Sequence, residues 1–313
     1  MMTIRILFGF LVSAAAVIGA IFTSGGTLDP WSAVQVLALA ILVPLGVLIA
    51  GPGLGAIRGL FKAANGDPAE RSAAPATLRL IDKALGAAAL GGFLIHFLCM
   101  MKNLSDRAAI WTNLAYALAP AISSLLVWVG IRLPLGRLAE LGDAATSSHA
   151  SAMPTWSLAR HMAGILVMIA GFAAYSFGSL SLFTLLDLAS AILVVFVSVG
   201  AFIAITGRHS WRDAVSAIRS EHAGKAALDS ASRTFRYLTT VIRSAGLIGF
   251  STGFVFMIKD WLDRMRAGPT LALALISSLM AIVAYILVAL PLQATAERKS
   301  LLAAGGRNGA AAG

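Results

Sequence analysis

"ALGGFLIHFLCMMKNLSD" (89–106) and "GLIGFSTGFVFMIKDWLD" (246–263) are two versions of one passage. A displacement of 157 positions lays Leu90, Gly92, Phe93, Phe97, Met100 and Lys102 on Leu247, Gly249, Phe250, Phe254, Met257 and Lys259. The match runs without a gap from Ala88–Glu140 to Ala245–Glu297, setting "LAYAL" (114–118) on "LALAL" (271–275) and "LPL" (133–135) on "LPL" (290–292). A long internal period carried by apolar segments and the turns between them predicts a duplicated membrane unit.

Composition agrees. Apolar residues make up 58% of the 313 and charged residues 12%, where a soluble domain carries about a quarter charged. Eight stretches are long and apolar enough to span a bilayer: 4–23, 32–51, 84–101, 110–131, 161–184, 188–206, 242–258 and 270–290. About twenty residues rising 1.5 Å each cover a hydrocarbon core of about 30 Å. Alternating strands of the barrel kind are not evident, so the predicted fold is all-α: a polytopic membrane protein of eight transmembrane helices in two four-helix repeats. The first stretch has features of a signal peptide, but Arg5 and "GFLV" (9–12) match Arg160 and "GILV" (164–167) mid-chain. An element used twice is expected to be a retained helix.

Charge orients the spans. With the N-terminus in the cytoplasm, 19 of the 24 Lys and Arg and 9 of the 14 Asp and Glu fall on the inner side, so the whole net charge of +10 sits on one face. That asymmetry predicts cytoplasmic N- and C-termini, and the Ala- and Gly-rich composition fits a bacterial inner membrane. The asymmetry assigns the basicity to topology and contact with anionic membrane lipids, not to nucleic acid. Four spans per unit is an even number, so the two copies are expected to run parallel.

The predicted organisation is a first repeat over 1–140, a cytoplasmic linker over 141–156, a second repeat over 157–299 and a low-complexity, disordered tail over 300–313. Within 208–240, Trp211, Val215 and Ile218 recur at helical spacing with Arg212 and Arg219 on the other face, which predicts an amphipathic helix. The single cysteine, Cys99, lies in a span and reads as packing. No phosphate loop, metal-ligand cluster or nucleophile–base set is evident in the sequence, so neither an enzyme nor a cofactor site is expected.

The second half of each unit resembles the MotA/TolQ/ExbB family of ion-driven membrane stator proteins. That family has a glycine-rich third helix, an outer turn, and a fourth helix that begins with paired threonines and closes on a Pro-Leu step. Here "GLIGFSTGFVFMIKDWLD" is followed by "ALALISSLMAIVAYILVALPLQATAER" (272–298), and "DLASAILVVFVSVGAFIAI" (187–205) is similar to the family's second helix. The resemblance implies a proton-channel subunit that forms homo-oligomers around a single-span MotB/TolR/ExbD-type partner carrying the titrating Asp. It implies a proton path at Ser277 and Ser278, which stand for the threonines, with Thr252 beside them. Gly249 and Gly253, and Gly92 in the first copy, are helix-packing glycines that let backbones approach closely. Pro134 and Pro291 are expected to end or bend the fourth helices near the inner surface. Back-bonding to a carbonyl one turn earlier is the structural alternative for the serines.

The first copy departs from this pattern. Pro120-Ala121 replaces the hydroxyl pair, and His96 stands where the second copy has Gly253. His96 is the one ionisable side chain near mid-span, and so a further proton-path candidate; its structural alternative is a neutral histidine hydrogen-bonded to a neighbouring helix. Two other functions compete with the channel: a non-conducting scaffold that retains the fold, and, ranked lower, a small-solute transporter built on parallel repeats.

Overall fold

The computed structural model describes residues 30–64, 70, 74–102, 106–128, 132, 156–176, 188–206, 208–221, 223–259 and 264–310. Every element among them is helical: α1 (Pro30–Ala50), α2 (Leu54–Ala64), α3 (Ala74–Lys102), α4 (Arg107–Val127), α5 (Leu158–Ser176), α6 (Leu188–Thr206), α7 (Arg208–Arg219), α8 (Lys225–Lys259), α9 (Arg264–Ala284), a π-helical turn (Tyr285–Ala289) and α10 (Leu290–Ala310). Four stretches are long and apolar enough to cross a membrane: Ala74–Met101, Leu158–Ser176, Lys225–Val255 and Ala274–Ala303. The bent α1–α2 pair raises the number to five, and α6 adds the shorter apolar run Ser190–Ile203. These helices mark a membrane protein. The expected first span, 4–23, lies outside the described residues, as do positions 141–155 of the linker and Pro134.

The helices pack in two groups. α3 lies against α4 and α1, and α8 lies against α9 and α6. α9 also packs on α3, and α1 makes its largest interface with α5. Glycine sets the α1–α5 approach: a Cβ on Gly46 would sit 2.7 Å from the Gly164 carbonyl oxygen, and one on Gly164 would sit 2.5 Å from Ala50 Cβ. Between apolar helices in lipid, such backbone proximity supplies the dispersion contact that water exclusion supplies elsewhere.

α1 ends where Gly53 takes a positive φ of 84°, a conformation open to glycine at little cost. The chain then turns by 101° into α2. The carbonyls stranded at the α1 terminus find partners on α5. A His161 Nδ1–H donates to Ala50 O at 3.1 Å, and Arg160 Nη2 reaches Gly51 O at 3.5 Å.

At 35 residues, α8 is about 52 Å long, well beyond an apolar core of about 30 Å. Its first turns pack with α7 and α10 around the buried Ile218, Leu228, Phe235 and Leu292, a second core at the basic end of the bundle. α7 is the amphipathic helix expected from its spacing: Ile218 is fully buried, Trp211 stands edge-on to Phe202 and Phe235, and Arg212 and Arg219 are exposed. Lys299, wholly buried, donates to the carbonyls of Ile218 at 2.7 Å and Ser220 at 3.1 Å, closing the α7 C-terminus with a cation. Pro291 does not end its helix. A proline ring clashes with the carbonyl four residues back, and the π turn directly before it relieves that clash while the chain stays helical to Ala310.

Candidate functional site

The glycines of α8 form a seam with small residues of α9. A Cβ on Gly246 would lie 2.5 Å from Ala281 Cβ, one on Gly249 2.6 Å from Ser277 Cβ, and one on Gly253 2.6 Å from Ala274 Cβ. Such a seam holds Ser277 against the α8 backbone, 2% exposed, where its hydroxyl donates to Ser190 Oγ of α6 at 3.0 Å. Two hydroxyls thus face each other inside the apolar part of the bundle at the meeting of α6, α8 and α9. Sequence reading singled out Ser277 and missed Ser190, which lies in a segment where nothing in the local pattern distinguishes it from other small residues.

The other hydroxyl candidates are arranged differently. Ser278 donates to Ala274 O at 3.2 Å and Thr252 to Ile248 O at 2.8 Å, each bonding to its own helix one turn earlier. Ser278 also lines a cavity of about 630 Å³ between α3, α8 and α9. The cavity walls are largely apolar, with Leu90, Leu247, Phe250 and Ile282 among them, and Lys83 and Arg243 contribute cations. The Arg243 guanidinium lies 4.6 Å from the centre of the Tyr285 ring.

His96 stands apart from the serine pair, on α3. Its imidazole lies between Tyr116 of α4 (5.4 Å between ring centres) and Tyr175 of α5 (4.7 Å), and its buried Nδ1 has no hydrogen-bond partner among the described residues. Beside it, Tyr175 donates from its hydroxyl to Tyr116 O at 2.9 Å. The chemistry of that bond follows from Pro120. A helical carbonyl at 116 ordinarily accepts from the N–H at 120, and proline has none, so a polar group freed inside the bundle is satisfied from the neighbouring helix. Gly92 packs against the same proline, with a Cβ there falling 2.6 Å from Pro120 Cγ and 2.7 Å from Leu39 Cδ2.

Several carboxylates among the described residues meet arginines. Arg132 donates from Nε and Nη2 to the two Asp82 oxygens at 2.7 Å each, and Trp128 Nε1 adds a third bond at 2.9 Å. Arg298 meets Glu70 at 3.0 Å, while Thr239 donates to Gln293 and Gln293 to Glu297. Among the described residues no group of His, Cys, Asp or Glu is disposed to hold a metal ion. Comparison with models of known families, with curated proteins and with solved structures found no match.

Proposed function

We propose that this chain is the channel-forming subunit of an ion-driven, stator-type complex of the bacterial inner membrane. In this reading it is built as two parallel four-helix repeats of eight spans, with both termini cytoplasmic. It assembles around a single-span partner of the MotB/TolR/ExbD type, which supplies the titrating carboxylate. Two clusters support the repeat. Leu39, Gly92 and Pro120 meet across α1, α3 and α4; Leu193, Gly249 and Ser277 meet across α6, α8 and α9. Gly92 and Pro120 stand 157 positions before Gly249 and Ser277, the displacement found in the sequence.

The observation that carries the channel reading is the buried Ser190–Ser277 pair. Of the pair, Ser277 stands where the resembling family has one of its paired threonines, and hydroxyls in hydrocarbon can relay a hydrogen bond that aliphatic walls cannot. The test is proton flux in proteoliposomes holding the complex purified in mild detergent from its native host. A co-purifying single-span protein with a membrane Asp, together with flux that falls on Ser277→Ala, is the expected result. Undiminished flux in that variant removes Ser277 from the path.

A second reading, the non-conducting scaffold, has its own support. Thr252 and Ser278 bond to their own helix, and the first copy has Pro120-Ala121 in place of the hydroxyl pair. A partner-free assembly without flux favours it over the channel.

A further inference from the structure

The cavity beside Ser278 has a charged end and an apolar length. α3 and α8 each pack on α9 but make no comparable interface with each other among the described residues, which leaves the space between them open. At one end stand Lys83 of α3, Arg243 of α8 and Tyr285 of the π turn. Lys83 also lies in the field of Arg79, Arg236 and the Glu297 carboxylate, so four cations meet one acid there. Beyond them the walls are aliphatic and aromatic, with Leu90 and Leu94 on α3, Leu247 and Phe250 on α8, and Leu275 and Ile282 on α9. From Lys83 to Leu94 the α3 wall rises about 16 Å at 1.5 Å per residue. That is the depth of one leaflet in a hydrocarbon core about 30 Å thick.

Two features set this end apart from cations that only anchor helices at an interface. Tyr285 is 4% exposed, and its buried hydroxyl makes no hydrogen bond of normal geometry among the described residues. The charge beside it is the Arg243 guanidinium, 4.6 Å from the ring centre. A buried hydroxyl left in this way carries a desolvation cost that a ligand oxygen would remove. The second feature is Gly86, which lines the cavity one turn beyond Lys83, where an added Cβ would meet nothing within 4 Å. Lys83, Leu90, Arg243 and Leu247 are exposed along the mouth, so the groove opens sideways from the bundle.

We propose that this groove binds one anionic phospholipid. Lys83 and Arg243 hold its phosphate, the Tyr285 hydroxyl donates to a headgroup oxygen, and one acyl chain lies along the leucines toward Leu94 and Leu275. The surplus of cations selects an anionic head over a zwitterionic one. The volume of about 630 Å³ falls in the range of small-ligand pockets, about 300–1,000 Å³. A lipid held here ties α3 to α8, which otherwise meet only through α9. The inference requires that the chain be membrane-embedded, and neither ion conduction nor the two-repeat reading.

The test is photolabelling of the full chain in phosphatidylcholine vesicles. These contain equal small fractions of either phosphatidylglycerol or phosphatidylcholine carrying a photoreactive group midway along one acyl chain, and labelled residues are mapped by mass spectrometry. The expected result is about tenfold more label from phosphatidylglycerol than from phosphatidylcholine at Leu90, Leu94, Leu247 and Phe250, relative to the whole chain. Lys83→Gln/Arg243→Gln should abolish that preference. Gly86→Leu keeps both cations but fills the groove, and should remove the label from these four residues; it carries the test if the double variant fails to fold. Equal labelling by the two lipids overturns the proposal in favour of bulk lipid without headgroup selection. A preference that persists in the double variant overturns it by placing the selection elsewhere. Absence of label from either lipid overturns it in favour of a protein segment covering the groove.

Discussion

Single residues hold this bundle where the backbone is short of partners. Tyr175 is the clearest case, because its hydroxyl replaces the N–H that Pro120 lacks. Tyr175→Phe is expected to cost about 1–3 kcal/mol by leaving the Tyr116 carbonyl unsatisfied. Thermal unfolding in detergent reads that loss, and an unchanged midpoint would mean the carbonyl has another donor. Glu70 faces Arg298, whose side chain is 7% exposed. Glu70→Ala is expected to cost about 3–5 kcal/mol because a buried cation is left without its counter-charge. The double variant Glu70→Ala/Arg298→Met should recover most of that, and a double as unstable as the single would locate the loss in packing. Neither role could be read along the sequence: the proline signals a freed carbonyl, but not which of the chain's four tyrosines reaches it. Glu70 and Arg298, 228 positions apart, share no local pattern.

At the scale of elements, glycine decides how closely helices cross and cations decide how they end. Gly164→Leu places a side chain against Ala50 and the α1 backbone, which cannot yield as a flexible side chain can. Overpacking of this kind costs about 1–3 kcal/mol or more. Gly200→Leu, at an open position on α6, should leave the stability of the isolated chain near its starting value, and a large loss there would reveal a neighbour on that face. α7 depends on Lys299 for its last carbonyls. Lys299→Met is expected to raise hydrogen exchange in the amides of 214–220 by about tenfold or more, as loss of bonds to a charged group implies. The amphipathic face of α7 was legible from Trp211, Val215 and Ile218. Its cap was not, because it comes from a helix eighty positions later.

For the whole molecule, the prediction concerns topology. If charge bias orients the chain, reporters placed after Ala64, in the 141–156 linker and after Ala310 all report the cytoplasmic side, while those in the 23–30 and 177–187 turns report the opposite side. A linker and a C-terminus on different faces would rule out two parallel four-span halves. The displacement of 157 and the lopsided charge make this expectation available from sequence alone. What they leave out is which helices meet, since sequence similarity between halves is the same whichever helices pack on one another.

The sequence by itself determined that the chain is helical and membrane-embedded, and where the amphipathic helix α7 falls. These follow from hydropathy, spacing and local repetition, which depend on neighbours along the chain. Only the tertiary structure decided that Ser277 faces Ser190 while Ser278 and Thr252 bond to their own helix. It also decided that His96 is enclosed by two tyrosines, that Pro291 is absorbed by a π turn, and that α5 packs on α1. Each of these depends on which distant helix fills the space beside a residue, and that is set by three-dimensional packing of backbones, about which a linear pattern carries no information.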